Sequence, residues 1–234
     1  MASAASPRAA SLSSATFEPA ADCALCDRLV EFRRANEAAY PSFHNAPVRS
    51  FGPDAARLLI VGLAPGLKGA NQTGRPFTGD YAGDLLYETL GAFGFADGTY
   101  AADPGDGLTL VDCAITNAVR CVPPQNKPIG AETKACRPFL AERLGGMPNL
   151  TAVVALGKLA HDNVLAALSQ RLAAHKFAHG AEHDVPRPGA SDAGAPLRLF
   201  DSYHCSRYNT NTGRLTAPMF QAVFSAVRDY LGPS

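Results

Sequence analysis

The stretch RLLIVGLAPGLKGANQTGRPFTGD, residues 57–80, decides the fold of this chain. Its apolar run, 58–61, predicts a buried parallel strand. Residues 62–80 combine glycines and prolines with polar side chains, and they are far more numerous than a strand needs to reach a helix. A long polar loop on a rigid strand is typical of a functional site, and glycine lets its backbone approach a small planar ligand. We therefore expect the mouth of an active site here.

Apolar runs and helical patterns alternate along the rest of the chain. The runs predict three further strands, and helical periodicity predicts five helices; the strands are 108–119, 149–157 and 196–204, and the helices are 22–40, 84–93, 131–144, 158–172 and 216–231. Pro138 is expected to bend the third helix or to delay its start. The alternation predicts an α/β fold with three layers, α/β/α, around a central four-stranded, mainly parallel sheet.

In such a sheet the ligand site lies at the carboxyl ends of the strands. The 62–80 loop follows the first strand, Asn117 ends the second, Gly157 ends the third and His204 ends the fourth. These polar positions are therefore expected to meet at one edge of the sheet.

Length and composition limit the class of protein. The 234 residues are 47% hydrophobic, which is ample for one large core, and we expect a disordered tail at 1–21 followed by a single domain at 22–234. The first twenty residues lack the apolar centre of a secretory signal, and no run of about 18 apolar residues predicts a membrane span. The 21 basic residues balance the 21 acidic ones, so any DNA contact must be a local basic patch. We expect a cytoplasmic monomer.

Six cysteines in such a chain indicate metal ligation or catalysis, because the cytosol keeps thiols reduced. Cys23 and Cys26 form a CxxC pair, and Cys121 and Cys136 lie close together in a distant segment. Two such pairs can close on one four-thiolate site, which would suit zinc as well as an iron–sulfur centre. Four unligated buried thiols remain the alternative. Cys113 lies in an apolar run and is most simply a core residue.

The segment 173–196 has no periodicity and is expected to be a loop or an insertion. His175, His179 and His183 are spaced four apart, which on a helix would suit zinc. The glycines and prolines between and after them argue against a helix, and no acidic partner is evident nearby. We do not expect an intrinsic metal site from these three histidines.

Three motifs and the four cysteines together resemble the uracil-DNA glycosylase superfamily. The motifs are GLAPGLKGANQTGRPFTGD (62–80), TNAVRCVPPQNKP (116–128) and YHCSRYNTNTGRLT (203–216). The resemblance is strongest to the iron–sulfur branch and its fifth family, called type B, and it covers most of 22–231. It implies a hydrolase that excises uracil, and other deaminated bases, from DNA without cutting the backbone.

The resemblance also implies roles for particular residues. His204 would donate a hydrogen bond to the oxyanion that develops on the leaving base, and Asn117 would read the edge of the flipped pyrimidine. Phe77 would stack on the base. Backbone groups would line the pocket at Ala64, Pro65 and Gly66.

The residue that positions the water is less obvious. Families that hydrolyse quickly have an acidic residue in the first loop where this chain has Ala64, and some type B relatives have an aspartate where it has Asn71. Asparagine can orient a water but cannot take its proton. Asn71 is therefore our first candidate and Asp80 our second, although Asp80 could simply cap the next helix.

The segment after His204 is expected to contact DNA. Relatives have proline where this chain has Cys205, so the stiffness of the loop is open. Ser206, Arg207 and Tyr208 are the DNA-contacting candidates, with Arg207 and Tyr208 as wedges in the base stack. The resemblance makes the four cysteines ligands of a structural [4Fe–4S] cluster.

Two other functions are compatible with parts of the sequence. A zinc-stabilised nucleic-acid-binding module without catalysis would use the cysteines and nearby basic residues, but it leaves the 62–80 loop and His204 without a role. An α/β enzyme acting on free nucleotides would bind phosphate with the glycines of that loop. The loop, however, lacks the GxxxxGK[ST] order.

Overall fold

The computed structural model describes residues 18–187 and 195–232. The helices are α1 (Asp27–Ala39), α2 (Ala70–Thr73), α3 (Tyr81–Ala92), α4 (Gly130–Gly146), α5 (Lys158–Ala167), α6 (Arg207–Asn211) and α7 (Ala217–Leu231). The strands are β1 (Leu58–Gly62), β2 (Ala96–Asp97), β3 (Thr109–Leu110), β4 (Cys113–Asn117), β5 (Ala152–Leu156), β6 (Glu182–Val185) and β7 (Leu197–Ser202). The predicted alternation of strands and helices is therefore confirmed.

The central sheet has five strands, in the order β4, β1, β5, β7, β6. The first four are parallel, and β6 runs antiparallel to β7 at the edge. The predicted count of four strands was wrong, because β6 lies in the segment expected to be a loop. Only Val185 of this strand is fully buried, so its sequence carries neither an apolar run nor a clear alternation.

Helices cover both faces of the sheet, which confirms the three-layer architecture. Along β1, Leu58 and Ile60 pack into the core beneath α3 and α7, whereas Leu59 and Val61 pack into the core beneath α4 and α5. Every residue of β1, β4 and β5 is buried. Burial on both faces explains why these strands are continuous apolar runs in the sequence.

Several element boundaries differ from the predictions. Helix α1 begins at Asp27 rather than 22, because the chain turns at Cys23, whose N–H donates to the carbonyl of Ala20 at 3.0 Å. The apolar run 108–119 is divided by Asp112, whose φ of +51° interrupts the extended backbone. Pro138 lies inside α4 without delaying its start.

The amino-terminal end of the described chain packs against the loop after β4. Residues 1–17 of the predicted tail lie outside the described residues. Glu18 is described, and its carboxylate pairs with the buried guanidinium of Arg120 at 2.8 Å. Within the described ranges, no helix is both long enough and apolar enough to cross a bilayer.

Candidate active site

One cavity lies at the carboxyl edge of the sheet, where the loops after β1, β4 and β7 meet. Its lining combines backbone of the first loop with aromatic and polar side chains: Ala64, Pro65, Gly66, Ala70, Phe77, Asp80, Ala82, Asn117 and His204. The structure thus brings together three loops that are far apart in the sequence. Among the predicted site residues, it does not bring Asn71 to this lining.

Three polar atoms around the cavity are buried and have no hydrogen-bond partner among the described residues. They are Oδ1 of Asn117, Oδ1 of Asp80 and Nδ1 of His204. Most buried polar atoms in proteins are paired, and each unpaired one costs about 1–3 kcal/mol. Unsatisfied atoms concentrated in one cavity indicate a site that is completed by a polar ligand.

Phe77 forms an aromatic wall of the cavity in an unusual backbone conformation. Its φ is +53°, a region that costs a non-glycine residue about 1–3 kcal/mol. Its ring lies 5.9 Å from the imidazole of His204, centroid to centroid, with 29° between the planes. The surrounding loop must therefore hold Phe77 in place.

Arg75 is the residue that fixes this loop. Its guanidinium makes two hydrogen bonds of 2.7 Å to the carboxylate of Asp106, and its Nε donates to Oγ1 of Thr78 at 2.7 Å. The side chains of Arg75 and Asp106 are only 5% and 2% exposed. Three aromatic rings lie within 5.7 Å of the guanidinium carbon: Phe51, Tyr87 and Tyr100. The buried pair thus holds the loop on both sides of Phe77.

Gly62 lets Asn117 and Phe77 approach each other. Gly62 and Asn117 are paired at the ends of β1 and β4. A Cβ atom on Gly62 would lie 2.4 Å from Oδ1 of Asn117 and 2.6 Å from Cζ of Phe77. Any side chain at this position would displace both groups.

Gly62→Ala should therefore slow the reaction of this site about tenfold, equivalent to about 1.4 kcal/mol of lost transition-state stabilisation. Gly91→Ala is the matched control, because a Cβ on Gly91 in α3 meets nothing within 4 Å. Replacing that helical glycine should leave the rate unchanged and gain about 0.5–1 kcal/mol of stability. Single-turnover rates and denaturation curves of the two variants check this. Equal rates for both would contradict the role given to Gly62.

Asp80 and Asn71, the two water-positioning candidates, lie in different surroundings. Asp80 is half-buried beside the cavity, its Oδ2 lies against Gly66 and Gly69, and burial raises its pKa. The buried amide of Asn71 donates to Oδ1 of Asn45 at 2.9 Å. Of these two candidates, only Asp80 lines the cavity and has an oxygen without a partner among the described residues.

His204 follows β7 and is neutral at physiological pH. Burial lowers the pKa of its imidazole to about 4. Its backbone carbonyl accepts a hydrogen bond from the amide of Asn209 at 2.8 Å. The next residue, Cys205, is buried, and its thiol donates to the carbonyl of Ala82 at 3.4 Å. The buried thiol anchors the loop directly after His204.

The predicted DNA-contacting residues begin helix α6 beside the cavity. Ser206 caps this helix by accepting a hydrogen bond from the N–H of Asn209 at 3.5 Å. The guanidinium of Arg207 lies 5.4 Å from the centre of the Tyr81 ring. Tyr208 is 72% exposed. Arg207 therefore packs on the residue between Asp80 and Ala82 of the cavity lining, and the neighbouring Tyr208 faces solvent.

The four predicted ligand cysteines line a second, apolar cavity. It is enclosed by Cys23, Cys26, Cys121 and Cys136 together with Leu25, Leu29, Val30, Val119 and Phe139. Burial raises the pKa of Cys121 to about 12 and that of Cys136 to about 11. Such thiols become thiolates only when a cation binds them. Nη1 of Arg33 lies 4.0 Å from the sulfur of Cys121 and adds positive charge at the rim.

The family model described as the uracil DNA glycosylase superfamily matches residues 49–228. The chain belongs to this superfamily. It is 42% identical over 215 residues to a type-5 uracil-DNA glycosylase of Thermus thermophilus, covering 90% of this chain and 94% of that protein. A type-5 uracil-DNA glycosylase of Mycobacterium bovis is 37% identical, with 90% and 78% covered. A type-4 uracil-DNA glycosylase of Pyrobaculum aerophilum is 34% identical over 115 residues, about half of each chain. The predicted resemblance is confirmed.

Sequence reasoning missed two buried pairs, Arg75 with Asp106 and His161 with Asp201. Arg75 was recognised only as polar, because its partner Asp106 lies in a distant loop. Asp201 lies within a predicted strand, and His161 lies within a predicted helix. For these residues only the folded structure reveals a partner.

Proposed function

We propose that this protein is a monofunctional DNA glycosylase that flips uracil, and other deaminated bases, out of DNA and hydrolyses the N-glycosidic bond. This reaction would initiate base excision repair. The observation that carries the proposal is the single cavity in which Phe77, Asn117 and His204 surround unpartnered polar atoms. The 42% and 37% identity to type-5 uracil-DNA glycosylases supports it.

Base recognition is assigned to the wall formed by Phe77 and Asn117. A flipped pyrimidine stacked on an aromatic ring gains about 1–3 kcal/mol. The amide of Asn117 donates and accepts on the edge of the base, and its free Oδ1 supports this assignment. The backbone of Ala64, Pro65 and Gly66 closes the pocket around the ring. A closed pocket accepts only a base that has left the duplex, and leaving costs least free energy for a mismatched or damaged base.

Bond cleavage is assigned to His204. As the glycosidic bond breaks, negative charge accumulates on the base and positive character on the sugar. A neutral imidazole donates a hydrogen bond to the developing oxyanion without protonating it fully. The low pKa of His204, a result of its burial, supports a neutral donor.

The attacking water is assigned to Asp80 rather than Asn71. Asp80 lines the cavity, whereas the amide of Asn71 is engaged by Asn45. A carboxylate orients water toward the sugar and takes its proton, which an amide cannot do.

Asp80→Asn should change the pH dependence of excision. The carboxylate works only when it is deprotonated, so the wild-type rate should fall as pH drops through the raised pKa of Asp80 and level off above it. The Asn variant should be about tenfold slower at neutral pH and should lack this acidic decline, because it has no proton to gain. Single-turnover rates from pH 4.5 to 8 measure both. If the rate of the variant still falls at acidic pH, the decline is caused by the protonation of a group other than Asp80.

Cys23, Cys26, Cys121 and Cys136 are proposed to hold a [4Fe–4S] cluster. When bound, the cluster would tie the turn before α1 to the loop after β4 and to α4. We assign it a structural role, because the cysteines line a cavity separate from that of His204. The shared cavity of the four cysteines and the resemblance to the iron–sulfur branch support this assignment.

Anaerobically purified protein should therefore be yellow-brown and should contain about four iron atoms per chain. Cys136→Ser should lower the iron content and the visible absorbance, whereas Cys113→Ser removes a thiol outside the ligand set and should retain the iron. Iron analysis and absorption spectra measure this. Colourless protein that contains only zinc at the cysteines would refute the cluster and leave the glycosylase proposal intact.

The DNA-contacting surface is assigned to Ser206, Arg207 and Tyr208. Arg207 and Tyr208 project beside the cavity and would fill the gap that the flipped nucleotide leaves in the stack. We also propose that residues 22–234 act as one domain and that the protein works as a monomer in the bacterial cytoplasm. The net charge of the chain is zero, so there is no overall electrostatic attraction to DNA. The affinity for DNA should therefore depend on these local contacts.

A uracil-containing oligonucleotide tests the proposed function. The protein should leave abasic sites that alkali converts to strand breaks, and it should leave a matched thymine oligonucleotide intact. A panel of deaminated bases then defines the substrate range. DNA binding without base release would favour the alternative, a non-catalytic module stabilised by metal at the cysteines.

A further inference from the structure

A second group of potential metal ligands lies at the sheet edge formed by β7 and β6. His161 of α5, His183 of β6 and Asp201 of β7 have ligand atoms that all lie within 4.8 Å of one another. The side chains of His161 and Asp201 are almost fully buried, whereas His183 is 14% exposed on the open side. All three donors are nitrogen or oxygen, so this group is chemically distinct from the four cysteines.

The hydrogen bonds of His161 fix its proton on one side of the ring. Nε2 lies 2.9 Å from the backbone carbonyl oxygen of His175, which can only accept, so Nε2 carries hydrogen. Nδ1 points at Oδ1 of Asp201 at 2.7 Å, and Nε2 of His183 lies 3.1 Å from Oδ2 of Asp201. Two imidazole nitrogens therefore converge on one carboxylate, with only protons between them.

This arrangement matches the outer contacts of metal-binding histidines. A ligating histidine coordinates through one nitrogen and donates its other N–H to a carbonyl or carboxylate, which holds the ring in place. His161 already makes that contact with the carbonyl of His175. Tetrahedral zinc with bonds of about 2.0–2.1 Å needs ligand atoms about 3.3 Å apart. The nitrogens of His161 and His183 lie 2.7 and 3.1 Å from the two oxygens of Asp201, and the three ligand atoms all lie within 4.8 Å of one another.

We propose that His161, His183 and Asp201 form a zinc site. Binding releases the proton between His161 and Asp201, and the proton of His183 moves from Nε2 to Nδ1 so that Nε2 can take the zinc. The fourth position opens beside His175, whose ring centroid lies 5.5 Å from that of His183. Water or His175 completes the coordination there.

The position of the ion gives it a mechanical role. It would join α5, β6 and β7, and Asp201 is three residues before His204. His179 in the same segment stacks on Tyr203, with ring centroids 5.0 Å apart. A bound ion therefore fixes the segment that carries β6 against the strand from which the His204 loop departs.

Zinc equilibration of the purified protein with its cysteine site occupied tests the proposal. After dialysis against zinc and removal of loose metal, we expect one zinc per chain, and zinc X-ray absorption should show nitrogen and oxygen ligands at about 2.0–2.1 Å. Sulfur ligands at about 2.3 Å would place the zinc at the cysteines and overturn the proposal. No retained zinc would overturn it equally.

Substitutions provide a second, independent test. His183→Gln and Asp201→Asn should each lower zinc affinity at least tenfold, whereas His44→Gln changes an exposed histidine outside the group and should bind as the wild type does. Zinc content and the zinc-induced rise in melting temperature are measured for all four proteins. Unchanged zinc binding in folded His183→Gln would overturn the site. The absorption experiment uses only wild-type protein, so it decides the question even if a variant fails to fold.

Discussion

His204→Ala is expected to slow uracil excision about 100- to 1,000-fold, a loss of roughly 2.7–4 kcal/mol of transition-state stabilisation. The imidazole nitrogen that faces no partner in the described chain is the proposed donor to the departing base. Removing it leaves the charge on the base without its principal hydrogen bond. DNA affinity should change little, because this hydrogen bond strengthens only as the bond breaks. Single-turnover excision and binding of uncleaved analogue DNA separate the two effects.

The pH profile provides a control for the protonation state of His204. Because burial lowers its pKa to about 4, the imidazole is already neutral from pH 5 upward, and the wild-type rate should show no alkaline decline caused by its deprotonation. His204→Gln retains a donor and should recover part of the loss. A variant that loses DNA binding and excision equally would show that His204 acts in binding instead.

Arg75→Met is expected to lower the free energy of unfolding by about 3–5 kcal/mol. The substitution keeps the bulk of the side chain but leaves the carboxylate of Asp106 buried without its partner. The loop that holds Phe77 at a positive φ would relax, so excision should slow as well. Chemical denaturation measures the stability, and single-turnover kinetics measures the rate.

Lys158→Met is the matched control, because it removes the cation of a pair in which Lys158 is 65% exposed. Exposed pairs contribute about 0–1 kcal/mol, so this variant should be nearly as stable as the wild type. Adding Asp106→Asn to Arg75→Met should restore part of the stability, since it removes the unpaired charge. If Arg75→Met is as mild as Lys158→Met, the pair does not hold the loop.

The four parallel strands were predictable because they are buried on both faces. Their apolar runs are easily distinguished from the polar loops. Because ligand sites lie at the carboxyl ends of parallel strands, Phe77, Asn117 and His204 could be predicted to lie at one edge of the sheet. Strand β6 was not predictable, because it lies at the edge and buries only Val185 fully. The apolar run 108–119 is interrupted at Asp112 by a positive φ, which the local sequence pattern does not predict.

The supporting contacts of the site could not be read from the sequence. Arg75 and Asp106 are separated by 31 positions, and His161 and Asp201 by 40. Such pairs arise only when the fold brings distant loops together. The sequence likewise did not show that Asp80 lines the cavity whereas the amide of Asn71 bonds to Asn45, because a motif does not give the direction of a side chain.

Both edges of the sheet are protected against association with other chains. Strand β6 is four residues long, and its exposed acidic side chains lie next to Arg198 of β7. At the opposite edge, Phe51 bridges to Ile115 of β4. Short, charged or covered edges discourage the strand pairing that leads to aggregates. The described sheet therefore offers little unpaired backbone on which a strand of another molecule could add.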